Sequence, residues 1–486
     1  MKKLADLFSP FCINGLPDVI ISGLNNDSRL IKPGDLFLAY PGSHADGRFY
    51  CQQAVVRGAV AIAFDPANLS DSFIPSKDLT MIPVPQLAQK LALIASRFYD
   101  LPSQDLTVVG VTGTNGKTTI AWLLAKAQSA LGLQSAYIGT LGYGDAAALR
   151  PLSNTTPDAL CLQALLADYK QQGTECVNME VSSHALIQGR TACIDFNQAI
   201  YTNLSHDHLD YHVTMQAYAE AKALLFSTPS LKYAILNHDD QYTELMASQL
   251  PNACQKLTYG LHEEADVRAT NIQISMTGSA FDIDSPWGHH HIKTKTLGQF
   301  NVYNSLAVYT SLMAQGHEVC DVIHVLAQLP ASPGRMELVC DEPCVIVDYA
   351  HTPDALENVL STLSVLKQGQ LWVVIGCGGD RDKAKRPMMG RIASQYADRV
   401  IITSDNPRSE SPEQIAKEME AGLLFAHIAS TIIDREQAIH YALSHANRQD
   451  IVLIAGKGHE SYQHIGNQRF VFSDQEVVNS FNCHRS

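Results

Sequence analysis

The run Gly113-Thr114-Asn115-Gly116-Lys117-Thr118-Thr119 directly follows a β-branched stretch, residues 106–112. It directly precedes an amphipathic pattern that runs from Lys117 to about Leu131. A strand, a glycine-bearing turn and a helix in that order aim backbone N–H groups and the positive helix end at one point, which suits phosphate oxygens. Lys117 adds a cation for β- and γ-phosphates, and Thr118 adds a hydroxyl able to ligate Mg2+. A turn that merely caps a helix needs neither the lysine nor the paired threonines. The strict pattern G-x-x-x-x-G-K-[ST] asks for glycine at 111, where this chain has valine; its glycines fall at 110, 113 and 116. The chemistry implied is use of ATP.

Such a loop needs a carboxylate to hold the metal. Glu180 comes at the end of the buried-strand run 176–181, the place of a Walker-B acid, and is assigned to Mg2+. Further on, His206-Asp207-His208-Leu209-Asp210-Tyr211-His212 approaches the HxHxDH pattern of binuclear zinc hydrolases. One residue separates Asp210 from His212 and no second zinc motif follows, so zinc hydrolysis is set aside and His206 and His212 read as polar loop residues. Lys222 lies in the helical stretch 216–226. Periodicity alone makes it a surface lysine, whereas burial would lower its pKa and leave a neutral amine able to add CO2.

The elements that must position these groups form an α/β pattern in three parts. The chain has 486 residues, too many for one core. Residues 1–86 read as a small α/β domain with strands at 19–22, 35–40 and 59–63 and a helix at 50–57. Residues 87–332 open with a helix at 87–99 and form a doubly wound P-loop domain, with strands at 106–112, 176–181, 199–201 and 233–236. Residues 333–486 read as a Rossmann-like domain, with strands at 344–347, 371–375, 399–403 and 451–455 and helices starting near Pro353, Pro387, Pro412 and Arg435. Ligands bind at the C-terminal strand ends of such a sheet, where the polar motifs fall.

Charged residues at 17% and apolar residues at 46% exclude a disordered chain. A net charge of -14 argues against nucleic acid or an anionic membrane as partner. The start Met1-Lys2-Lys3-Leu4-Ala5-Asp6 is a poor signal peptide, no apolar run approaches the roughly 18 residues of a membrane span, and the 11 cysteines are dispersed. A cytoplasmic protein with free thiols and no stable membrane association is expected.

The segment from Gly110 to Thr119 resembles the P-loop of the Mur ligase family, which also includes folylpolyglutamate synthase. The likeness continues in chain order through Asn154-Thr155-Thr156-Pro157, Met179-Glu180-Val181-Ser182-Ser183-His184, the 203–212 run, Gly298-Gln299-Phe300-Asn301-Val302-Tyr303-Asn304, Gly334-Arg335-Met336-Glu337, Asp348-Tyr349-Ala350-His351-Thr352-Pro353 and Gly456-Lys457-Gly458-His459-Glu460. It implies ATP-driven amide formation through an acyl phosphate, with ATP and Mg2+ required. It further implies His208 on a second Mg2+ and a carbamate on Lys222 that helps to hold it. Asn301 and Asn304 would contact adenine, Arg335 and Asp348 the γ-phosphate and ribose, and His351 would lie near the nucleotide.

The resemblance also implies the two other substrates, UDP-N-acetylmuramoyl-L-alanyl-D-glutamate and meso-2,6-diaminopimelate, in cell-wall precursor synthesis by a monomer. Asn26, Ser28, Ser43, His44 and Ala45 match positions around uridine and diphosphate, and Asn154, Thr155, Thr156, Ser182, Gln188 and Arg190 the muramoyl-peptide end. Asp405-Asn406-Pro407-Arg408 goes with meso-diaminopimelate in the family, where lysine-adding relatives lack the arginine. That amino acid carries an extra carboxylate and ammonium, so its pocket needs an extra cation and anion. Arg381 and Arg408 can clamp carboxylates, while Glu460, after Gly456, can hold the distal ammonium. A D-Ala-D-Ala-adding enzyme and folylpolyglutamate synthase fit these motifs less well, and an ATP-hydrolysing switch needs no second Rossmann-like domain. ATP and amino acid on separate domains call for hinge closure.

Overall fold

A computed structural model describes residues 1–11, 13, 15–42, 45–69 and 79–483. Three sheets organise it. The first is parallel and runs in chain order through Gly23–Asn25, Asp35–Ala39, Ala61–Phe64 and Thr80–Pro83. The run expected as a strand at 19–22 instead contributes only Ile20–Ile21, which pairs antiparallel with Lys2–Lys3 outside this sheet. The helix Leu87–Phe98 buries Leu87, Leu91, Ile94 and Ala95 in the first sheet's core, and its own second partner is the helix Ala159–Gln171. It therefore serves the first sheet while touching the second domain.

The central sheet has ten strands, with the P-loop strand Thr107–Thr112 between Gln198–Tyr201 and Cys176–Glu180. Val111 is fully buried there, opposite Glu180 on one side and Ile200 on the other. That burial explains valine at this position: a β-branched side chain fills a strand interior, where glycine would weaken it. The parallel part is extended by Val267–Ser275, Gly278–Ser285 and Gly288–Thr294, the last two added antiparallel.

The third sheet orders Glu337–Cys340, Cys344–Asp348, Ile451–Ala455, Leu371–Ile375, Arg399–Ile402 and Ala429–Thr431, parallel apart from the first pair. Leu371–Ile375 and Ile451–Ala455 are buried throughout, as expected for parallel strands covered by helices on both faces. Local signals set the helix starts. Thr352 caps Pro353–Leu366 by accepting the Ala355 N–H, and Ser411 caps Pro412–Glu420 in the same way, each with proline in the first turn. Among the described residues the cysteines are free, and no helix is long and apolar enough to cross a membrane.

Candidate active site

Two glycines shape the P-loop. Gly113 has φ +149°, and a Cβ there would collide with Thr202 Oγ1; Gly116 has φ +86°, and its Cβ would stand 2.7 Å from Asn304 Oδ1. The loop is tied to the neighbouring strand end, with Thr114 N–H donating to Asn203 O (2.8 Å) and Asn115 N–H to Asn203 Oδ1 (3.0 Å). Lys117 Nζ donates back to Gly113 O and Thr114 O, each at 2.8 Å, so its charge sits at the loop mouth. Burial lowers the Lys117 pKa, while Glu180 and Asp207 oppose that shift. Thr118 and Thr119 start the helix Lys117–Ala130 beneath the loop.

Glu180 is fully buried and its carboxylate takes part in four hydrogen bonds. It accepts from Thr118 Oγ1 (3.0 Å), Tyr137 Oη (2.5 Å), Thr140 N (2.8 Å) and Thr140 Oγ1 (3.1 Å). The Thr118 and Glu180 oxygens 3.0 Å apart match one edge of an octahedron with metal–oxygen distances of about 2.1 Å, so this donor pair fits Mg2+. Arg335 crosses from the third domain, placing Nη2 3.2 Å from Thr118 Oγ1 and its guanidinium 4.2 Å from the Tyr349 ring centre. Its Nε is buried without a partner among the described residues, which leaves a donor for an anion.

Lys222 is 1% exposed, contrary to its surface periodicity. Its Nζ donates to Gly113 O at 2.7 Å and lies 4.4 Å from the Tyr218 ring centre. Burial first, and then the Lys117 charge, hold its pKa well below the usual lysine value. His208 keeps 45% of its side chain accessible on the cavity side, with Asp207 3.3 Å from its Nε2. The protein around it still lowers its pKa to about 4, so it is a neutral imidazole able to offer a lone pair. His212 is not a loop residue: it is buried in the short helix Leu209–His212, bonded to Ser183 Oγ (2.8 Å) and stacked on Tyr218. His206 is exposed, 3.9 Å from Asp382 of the third domain.

Thr114 to Thr119, Glu180, His208, Lys222 and Arg335 line one cavity of about 480 Å³ between the second and third domains, which His206 and His212 do not reach. Asn301 and Asn304 face it from the first turns of the helix Gln299–Ala314, with Asn304 Nδ2 donating to Asn301 Oδ1 at 2.9 Å. Asp348 lies in the wall and accepts Met336 N–H (2.6 Å) and Ala350 N–H (2.7 Å). His351 is also in the wall, its pKa lowered to about 4 chiefly by burial. Across the cleft, Asn115 Nδ2 donates to Asp354 Oδ2 at 2.7 Å.

Thr155, Thr156, Ser182, Gln188 and Arg190 form one network beside Glu180. Thr155 Oγ1 is 3.0 Å from Thr140 Oγ1; Thr156 Oγ1 donates to Glu180 O (2.8 Å) and accepts the Ser182 N–H (3.1 Å). Arg190 donates to Thr156 O (2.9 Å) and to Gln188 Oε1 (2.9 and 2.6 Å). Asn154 is exposed just before them. In the first domain, Asn26 donates to Tyr40 Oη (2.9 Å) and Ser28 to Gln53 Oε1 (2.6 Å), and Ala45 O accepts the Gly42 N–H (2.9 Å). These three lie outside the 480 Å³ cavity, and Ser43 and His44 lie outside the described residues.

In the third domain, Arg408 Nη1 donates to Gly379 O (2.6 Å), and a Cβ on Gly378 would stand 2.9 Å from that Nη1 and 3.7 Å from Arg381 Cγ. Burial and the Arg381 charge lower the Arg408 pKa, with Asp405 and Glu460 opposing. Asn406 Nδ2 donates to Glu460 Oε2 (2.8 Å), Pro407 O packs against Gly379, and a Cβ on Gly456 would approach Asp405 Oδ2 to 2.6 Å. Two guanidiniums and two carboxylates thus meet at the C-terminal strand ends.

Three domain families match in order: Mur ligase family, catalytic domain over residues 20–99, Mur ligase middle domain over 111–312, and Mur ligase, glutamate ligase domain over 334–458. A UDP-N-acetylmuramoyl-L-alanyl-D-glutamate–2,6-diaminopimelate ligase from Chromobacterium violaceum is 44% identical over 96% of this chain and 94% of its own. The chain belongs to the Mur ligase family. A solved structure of a ligase of that same name aligns over 100% of this chain and 99% of its own, at 38% identity and TM-score 0.72. A MurF ligase from Thermotoga maritima in complex with ADP shares the fold, with TM-score 0.66 at 19% identity over 91% of this chain and 96% of that one.

Several residues of this Mur ligase site have no role assigned from the sequence, although Asp207 and Tyr349 lie inside motif runs. Tyr137 and Thr140, which fix Glu180, come from the short strand Ser135–Gly139 and the turn after it. Tyr349 forms the wall between cavity and third-domain loops, its ring against Arg335, His351 and His459. Asp207, Tyr218 and Asp354 also line the cavity. Asp354 was legible only as a first-turn acid of a proline-initiated helix, a position that usually means helix-dipole compensation.

Proposed function

We propose that this chain is an ATP-dependent ligase that joins meso-2,6-diaminopimelate to UDP-N-acetylmuramoyl-L-alanyl-D-glutamate in cytoplasmic cell-wall precursor synthesis. The observation that carries the reading is a P-loop facing one cleft wall while, on another domain, Arg381 and Arg408 stand beside Asp405 and Glu460. A zwitterion with two carboxylates and two ammoniums matches that set. The diaminopimelate ligases similar to this chain over nearly its whole length support the same substrates.

In this reading a carboxylate oxygen of the acceptor attacks the γ-phosphorus and the bond to ADP breaks. The amine nitrogen then attacks the acyl carbon, phosphate leaves and the amine loses a proton. Lys117 and Arg335 offset charge on the phosphoryl oxygens. Thr118 and Glu180 would hold one Mg2+, and His208 with a carbamate on Lys222 a second; bound there, the ions would supply charge neutralisation. A buried, neutral Lys222 amine is what carbamate formation requires. Gly113 to Thr119, Asn301, Asn304 and Asp348 bind the nucleotide, and Thr155, Thr156, Ser182, Gln188 and Arg190, with Asn154, orient the acceptor. Asn26, Ser28, Ser43, His44 and Ala45 take the uridine diphosphate. Arg381, Asp405, Asn406, Pro407, Arg408, Gly456 and Glu460 take the amino acid. The corresponding domains are 1–86, 87–332 and 333–486, the helix Leu87–Phe98 at the start of the second packing on the first domain's sheet, in a monomer.

Phosphate release tests the class. A ligase stays nearly silent with ATP and Mg2+ alone and turns over only when acceptor and diaminopimelate are both present. Steady release without them points to an ATP-hydrolysing switch.

A further inference from the structure

Lys457 follows the buried strand Ile451–Ala455, and its side chain has no solvent exposure. A buried ammonium must find compensating charge and acceptors within the protein. Its Nζ donates to Asn406 Oδ1 at 3.1 Å and to Glu460 Oε2 at 3.0 Å. The same Glu460 oxygen accepts Asn406 Nδ2 at 2.8 Å, while Asn406 Oδ1 also accepts the His464 N–H at 2.9 Å. The Asn406 amide is thereby oriented from both ends, its oxygen toward two donors and its nitrogen toward a carboxylate.

Lys457, Asn406 and Glu460 close a triangle of hydrogen bonds beneath the third-domain loops. Its direction matters: both side-chain hydrogen bonds to Glu460 fall on Oε2, so Oε1 is the oxygen left to face a ligand. A carboxylate has enough lone pairs to serve both an internal and an incoming ammonium. The loop that carries Lys457 is itself fixed: a Cβ on Gly458 would stand 2.7 Å from Gly334 O and 2.8 Å from Tyr349 Cβ.

We propose that Lys457 is a positioning residue for amino-acid choice, holding Asn406 and Glu460 so that Glu460 Oε1 receives the distal ammonium of a diamino dicarboxylic acid. This rests on the third-domain loops being the amino-acid site. Lys457 acts through Asn406 and Glu460 rather than on the substrate, so its effect is confined to ligands that carry the distal ammonium.

The test uses the full chain with ATP, Mg2+ and the UDP-muramoyl-dipeptide, and compares meso-diaminopimelate with 2-aminopimelate, which lacks that ammonium. Lys457→Met is expected to raise the KM for diaminopimelate about tenfold, the effect of one misplaced charge-assisted hydrogen bond, with kcat within about threefold. The KM for ATP and the constant for 2-aminopimelate, as substrate or competitive inhibitor, change by under about twofold, and in a Glu460→Gln background Lys457→Met adds under about twofold. If Lys457→Met does not fold, Lys457→Gln, which keeps a donor, decides by the same selectivity at smaller size. Equal losses for both amino acids, or an unchanged diaminopimelate KM, overturn the proposal. A wild-type enzyme that ignores diaminopimelate altogether instead overturns the underlying reading of the site.

Discussion

Asn115 of the P-loop donates its side-chain amide to Asp354 Oδ2 at 2.7 Å, joining the nucleotide loop to the first turn of a third-domain helix. Burial raises the Asp354 pKa, and hydrogen bonds from Ser205 and Asn115 oppose the rise, so the carboxylate bridges the second and third domains at the cavity rim. Asp354→Ala should therefore weaken closure over ATP. The expected result in steady-state kinetics is a rise of roughly three- to tenfold in the ATP KM, the scale of one charged hydrogen bond. An unchanged KM would show that the bridge has no part in closure.

Lys222 carries the sharpest chemical prediction. Lys222→Ala removes the buried amine against Gly113 O and should lower kcat by at least about a hundredfold, while the Tm stays near that of the parent. Short carboxylic acids should restore part of the activity by standing in for the proposed carbamate. An active Lys222→Ala enzyme sinks the assignment.

The P-loop and Glu180 were legible because their signals are local: a β-branched run, a fixed spacing and an acid at a buried strand end. The central sheet's outer strands were not. Val267–Ser275 is buried only at Val267 and Ala269, and Gly288–Thr294 is mostly solvent-facing, so neither reads as the continuous apolar run of a parallel core strand. Lys222 and His212 also escaped periodicity, since what buries them is packing by Tyr218 and residues far along the chain. Asp354 acquires its partner Asn115 only when the third domain folds against the second.

Arg408 tests the amino-acid pocket. Its guanidinium is fixed at one end by Gly379 O, which leaves the rest of the fork for a ligand carboxylate. Arg408→Ala should raise the diaminopimelate KM by roughly ten- to a hundredfold and leave the ATP and acceptor KM values nearly unchanged. A uniform rise in all three KM values would contradict a pocket role.

Acid stability follows from four histidines held neutral. Burial pushes the pKa down to about 4 in His208, His212 and His351 and to about 3 in His459. The unfolded chain protonates each near 6.5, so below that pH it binds more protons than the folded state. Stability is then fully present above about pH 6.5 and is lost as pH falls toward 4. Exposed His289, raised by Asp284, opposes this with a single site. Melting temperatures should fall steadily from pH 7 to pH 5, with proton uptake on unfolding; a flat profile would refute the burial of these rings.

Product mass is the most direct test of the central claim. The protein is incubated with ATP, Mg2+ and UDP-N-acetylmuramoyl-L-alanyl-D-glutamate, with either meso-diaminopimelate or L-lysine. The expected result is a new species heavier than the acceptor by diaminopimelate less one water, formed with ADP and phosphate, and no adduct with lysine. Equal formation of the lysine adduct, or no adduct with diaminopimelate, would contradict it.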